Sequence, residues 1–184
     1  MILSASGVVR VTLLVLLSVV LQLAAVSQFT ILGVNPDLTP LIVLSVGLLA
    51  GPVAGSVVGF SLGLLVDMAL VQTLGVTSLL LTSLGYAAGR YRELRDASHA
   101  LLPAIAGFLA TVAYMASFSV TQFLLGVDSS VSALVIRDIF VGAFVNAVIA
   151  TPLFAAVRAL LRPALVDSLG PRRRSTRIGL RPAA

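Results

Sequence analysis

Residues 51–67 read GPVAGSVVGFSLGLLVD, with glycine at Gly51, Gly55, Gly59 and Gly63 and, one further step of four along, Asp67. Asp67 is the only charged side chain between Asp37 and Arg90. A spacing of four puts these five residues on one face of a helix. Composition supplies the solvent in which that face must work. The chain is 59% hydrophobic and 10% charged, with a mean hydropathy of +1.12, whereas a soluble domain is about a quarter charged. It is an integral membrane protein. A hydrocarbon layer of about 30 Å needs about 20 apolar residues per helix, so 184 residues hold five or six spans and no separate soluble domain. Without cysteine there is no disulfide framework, thiol nucleophile or thiolate metal site.

Working outward from the ladder, Pro52 opens a helix over 52–71, and the turn Gly51-Pro52 closes a short helix before it, over 36–50. That helix begins at Asn35-Pro36-Asp37, where Asn35 caps, Pro36 takes the first position and Asp37 sits at the positive end of the dipole. It is short for a full crossing, so it tilts little, thins the bilayer or is partly re-entrant. The first apolar run, 11–32, exceeds the roughly 7 to 15 residues of a signal-peptide core and is read as a span. Further spans are expected over 74–91, 100–126 and 131–161, the last bent by Pro152. Together residues 1–162 form a six-helix, all-α polytopic transmembrane domain. Residues 163–184, PALVDSLGPRRRSTRIGLRPAA, form a basic tail expected to be disordered.

All basic residues are arginine, and their placement gives orientation. With the N-terminus inside, the inner segments hold Arg10, then Arg90, Arg92 and Arg95, then the group from Arg158 onward, which includes Arg172, Arg173 and Arg174. Only Arg137 lies towards the outer side. The positive-inside rule therefore predicts N-in and C-in. The basic tail meets anionic headgroups more simply than nucleic acid.

In lipid no hydrophobic force drives helices together, so small residues at i, i+4 and i+8 serve close packing. The groove of Gly51, Gly55, Gly59 and Gly63 admits a helix of the same chain, either the short second one or the fourth with Gly85 and Gly89 at the same spacing. It equally admits a helix of a partner or of a second copy. Asp67 and Arg137 fall at comparable depth by rise per residue and are candidates for an ion pair. Asn146, deeper in the last span, reads as interhelical glue. Gly59-Phe60-Ser61-Leu62-Gly63 spells G-x-S-x-G, but a nucleophile elbow needs a strand, a sharp turn and a histidine in reach. Here the serine is mid-helix and the single histidine, His99, lies in the inner loop. No clustered ligands suit a metal and no phosphate loop is present, so neither catalysis nor a cofactor is expected.

The run from Asn35 to Arg90 resembles the MreD family of bacterial rod shape-determining membrane proteins. The likeness lies in Pro36-Asp37 opening a short helix, Gly51-Pro52 at its turn, the ladder ending in Asp67, then Gly75, Gly85-Tyr86 and Gly89. The resemblance implies a multi-pass protein of the inner membrane with a fold similar to the S component of energy-coupling-factor vitamin transporters. It implies a non-enzymatic scaffold of the cell-wall elongation (rod) machinery, or elongasome, that keeps cell shape and serves peptidoglycan synthesis. The implied partners are MreC first, then RodA, its class B penicillin-binding protein and, indirectly, MreB. The alternative is an S component that binds a small ligand itself.

Overall fold

A computed structural model describes residues 12–22, 37–71, 73–94, 102–126 and 133–167. Among these residues the secondary structure is helical throughout, in six helices: α1 Thr12–Gln22, α2 Thr39–Ala50, α3 Pro52–Ala69, α4 Val76–Leu94, α5 Leu102–Leu124 and α6 Ala133–Asp167. Asn35 and Pro36 lie outside the described residues, as do 23–32 of the first expected span. α2 starts at Thr39 rather than at Pro36. Asp37 Oδ1 accepts the Thr39 N–H at 3.0 Å, and Pro40 enters the first turn, where its missing N–H has no intrahelical partner to lose. Gly51, with φ 97°, makes the reversal into α3 and donates its N–H to the Gly47 carbonyl at 2.9 Å. α6 continues past Leu161 to Asp167, into the first residues assigned to the tail. Alanine and leucine are strong helix formers, and they carry the helix through Pro163.

The short helix is the centre of the bundle. Every residue from Thr39 to Leu48 is buried, and α2 packs against α3, α4, α5 and α6. A helix that is apolar all round belongs in an interior. Its 12 residues span about 18 Å, less than the hydrocarbon thickness, and its neighbours take up the difference by enclosing it. The chain entering α2 is bonded on both sides. The Leu38 N–H reaches Gln22 Oε1 of α1 at 2.9 Å, and the Asp37 carbonyl accepts from Asn146 Nδ2 of α6 at 2.7 Å. Non-helical backbone at membrane depth is tolerated when protein satisfies it in this way.

The outer helices present large apolar side chains outward: Val53, Val57 and Phe60 on α3, Ile105 and Leu109 on α5, and Phe140, Phe144 and Val148 on α6. Among the described residues three segments are long and apolar enough to cross a membrane on their own, Pro52–Ala69, Pro103–Leu124 and Val135–Leu161. The fourth helix carries Arg90, Arg92 and Glu93 at its end.

Candidate functional site

α3 and α4 run antiparallel with their backbones in contact along the whole ladder. Gly55 faces Gly85, Gly59 faces Leu81 and Gly63 faces Ser78. A Cβ on Gly55 would fall 2.5 Å from the Gly85 carbonyl oxygen and 2.9 Å from Gly47 Cα. One on Gly63 would fall 2.5 Å from Ser78 Cα. On Gly59 it would overlap the Leu81 carbonyl, on Gly85 the Gly55 carbonyl, and on Gly89 the backbone of Pro52. Cβ contacts under 3.0 Å essentially do not occur, so each of these positions requires glycine. Ser78 donates its hydroxyl to the Phe60 carbonyl across the seam at 3.3 Å.

The groove is therefore filled from within the chain. The alternative in which Gly55, Gly59, Gly63, Gly85 and Gly89 receive a partner's helix, or a second copy's, has no room, because α4 occupies the groove at backbone distance. Gly51 belongs to a different class from its ladder mates: no described atom lies within 4 Å of a Cβ built there, and its positive φ serves the turn. The rung that sequence reading missed is Gly47, four residues before Gly51, where a Cβ would meet the Gly85 carbonyl at 2.7 Å. Its signal was the same spacing extended by one step.

Beyond the seam lies a buried polar layer. Asp67 is fully buried, and its Oδ2 accepts the Gly75 N–H at 2.8 Å, closing the α3–α4 turn. Gly75, with φ 94°, and Val71, with φ 53°, give that turn its shape. Arg137 is exposed on α6 and makes no ion pair with Asp67, the one described salt bridge being Arg90–Glu93. The expected pair fails because equal depth does not bring two helices face to face. Asn146 is fully buried and donates from Nδ2 to the Asp37 carbonyl at 2.7 Å and to Thr111 Oγ1 at 3.2 Å, tying α6 to α5 and to the entry of α2. Tyr114 of α5 is buried beside Thr77, with the carboxylates of Asp37 and Asp67 in electrostatic range. Asp67 Oδ1 and Asn146 Oδ1 have no hydrogen-bond partner among the described residues, while the Thr39 hydroxyl lies against the Asp37 carboxylate and the Thr77 hydroxyl against Tyr114. Thr39, Thr77, Thr111 and Tyr114 went unnoticed in the sequence. Hydroxyl residues give no signal in an apolar helix, because they routinely bond the carbonyl four residues back, as Ser45, Ser56 and Thr82 do here.

At the arginine-rich end, Arg90 Nη1 meets Glu93 Oε2 at 2.7 Å with both side chains about half exposed, and Arg92 is exposed. Arg95, Arg172, Arg173, Arg174 and His99 lie outside the described residues. Ser61 of the G-x-S-x-G run sits in mid-helix and donates to the Val57 carbonyl at 2.9 Å. Among the described residues no three histidine or carboxylate side chains gather as a metal site.

This arrangement can hold helices in register and present a rigid outer surface. A family model described as rod shape-determining protein MreD matches residues 5–164, which takes in every helix named above except the last three residues of α6. No curated protein and no solved structure matches the chain. The match runs through the glycine seam, the buried central helix and the polar layer alike, and the chain belongs to the MreD family of rod shape-determining proteins.

Proposed function

We propose that this protein is a non-enzymatic scaffold of the cell-wall elongation machinery. In this reading it docks MreC and, through it, positions RodA and the class B penicillin-binding protein, with MreB coupled indirectly. The family assigns a role in rod shape determination, and it is a structural membrane family rather than an enzymatic one. The observation that carries the reading is the family match over nearly the whole helical region. The seam supports a reading in which partners dock elsewhere than on the glycines. Since α4 fills the glycine groove, docking falls to the outward faces of α3, α5 and α6 and to the loop ends of the bundle. The protein crosses the inner membrane six times with both ends inside, as the arginine distribution directs. The arginines of the inner loop and tail then meet cytoplasmic partners or anionic headgroups.

Depletion in a rod-shaped host, with imaging of cell outline and fluorescent D-amino acid incorporation, tests the proposal. Rounding with scattered wall insertion is the expected result. Rod shape with organised insertion along the side wall overturns it.

A further inference from the structure

Of the three helices that hold a membrane-crossing segment among the described residues, α3 buries its one charged side chain, Asp67, and α5 has none. α6 differs. Arg137 and Asp138 stand next to each other in its outer half, and both are exposed. Arg137 precedes the buried Asn146 by about two and a half turns, so it points directly away from the bundle. Asp138 lies about 100° further round, on the flank of the same outward face. The direction midway between the two is continued along α6 by Val141, Val145 and Val148, at steps of four and three, the spacing of a seam between two parallel helices. Val148 is 65% exposed, and Val141 and Val145 are partly exposed.

Neither charged side chain has an ionic partner among the described residues, where the one salt bridge is Arg90–Glu93. Adjacent residues of a helix do not face each other, so Arg137 and Asp138 do not pair within the helix. With Arg158 at the inner boundary of the hydrocarbon, the rise along α6 brings Asp138 about 30 Å away, to the outer boundary. An ion pair at that depth is stronger than one in bulk water. An anionic headgroup would match Arg137 and repel Asp138. A second copy of the chain matches both, because two copies inserted in the same orientation are related by a two-fold axis along the membrane normal, which sets equal residues at equal depth. Arg137 of one copy then stands within about 1.5 Å in height of Asp138 of the other. Both helices carry arginine on the same hand of the valine seam, so each arginine meets the other copy's aspartate.

We propose that a second copy of this chain docks on the outer half of α6, across Val141, Val145 and Val148, with reciprocal ion pairs between Arg137 and Asp138. The glycine seam takes no part, since α4 fills it. The outward faces of α3 and α5 stay open to other partners.

The chain has no cysteine, so single introduced cysteines report contact without background. Full-length protein carrying Val145→Cys or Val148→Cys is reconstituted in vesicles at a high lipid-to-protein ratio, oxidised with copper phenanthroline and read on a non-reducing gel. The outward-facing Val57→Cys of α3 and Leu109→Cys of α5 serve as controls. Both α6 cysteines should form disulfide-linked dimers about tenfold faster than the controls. Arg137→Asp or Asp138→Arg, each added to Val148→Cys, should slow that rate about tenfold, because like charges then meet across the seam. Exchanging both charges in one chain, Arg137→Asp with Asp138→Arg, should restore it, a recovery that a folding defect does not produce. Cysteines on α6 that cross-link no faster than the controls overturn the docking and leave this face to lipid or to the helix of another protein. Cross-linking that neither reversal slows, or that the exchange does not restore, overturns the reciprocal ion pairs.

Discussion

The two halves of the bundle solve the same packing problem differently. α2, α3 and α4 meet backbone to backbone through Gly47, Gly55, Gly59, Gly63, Gly85 and Gly89. α5 and α6 join the bundle through side chains, with Ala110, Tyr114, Phe154 and Val157 packed into the core around α2 and the carboxamide of Asn146 bonded to Thr111 and the Asp37 carbonyl. The first half gains its energy from van der Waals contact spread along three helices, and every rung is intolerant of a methyl group. The second packs side chain to side chain, with most of the surface of α5 and α6 left outward. In lipid both devices are available, because neither depends on a hydrophobic drive. The difference predicts a rigid half and a half that is free to meet partners.

The largest effect is expected in the seam. Gly59→Leu places four carbons where the Leu81 carbonyl stands, and overpacking against backbone costs upward of about 3 kcal/mol. We predict loss of folded protein, read as absence of a monodisperse peak after detergent extraction. Gly107 offers a comparison on the other side: its Cβ would lie 2.6 Å from Ala150 Cβ and 3.1 Å from Leu41 Cδ2. Gly107→Ala presses on side chains rather than carbonyls, so a loss of about 1–3 kcal/mol in chemical denaturation is expected. Were Gly107→Ala as damaging as Gly59→Leu, the contrast between the halves would fail.

Asn146→Leu removes the fastening of α6 and should cost about 0.6–1.7 kcal/mol, the range for interhelical hydrogen bonds in membranes. Thr111→Val should cost less, since the shorter Asn146 bond to Asp37 remains. At the small end, Arg90→Ala breaks an exposed i,i+3 pair and should change stability by about 0.5 kcal/mol or less, vanishing in high salt.

The comparison also shows what a membrane sequence can and cannot disclose. The ladder was legible because glycine is otherwise unfavoured in a helix interior, so its repetition needs a cause. Which helix fills it was open between the short second helix, the fourth, and a helix of a partner or of a second copy. Gly51-Pro52 correctly marked the α2–α3 turn, but α2 begins three residues later than Pro36, where Asp37 and Pro40 cooperate in the first turn. That α2 is central was hidden, because nearly every segment of this chain is apolar all round and no periodicity separates lipid from protein. Asp67 and Asn146 announced themselves by the cost of burying them. Their partners did not: rise per residue gives a depth, whereas an Asp67–Arg137 pair also requires the right angle around each helix. Thr39, Thr77 and Tyr114 carry no such cost signal and emerge only in three dimensions.

The glycine seam is internal to the chain and precedes any partner. Purified alone in nanodiscs, Gly59→Leu should already melt far below wild type or fail to fold, without MreC present. A Gly59→Leu protein as stable as wild type in isolation, yet unable to co-purify with MreC, would make the ladder a docking groove instead.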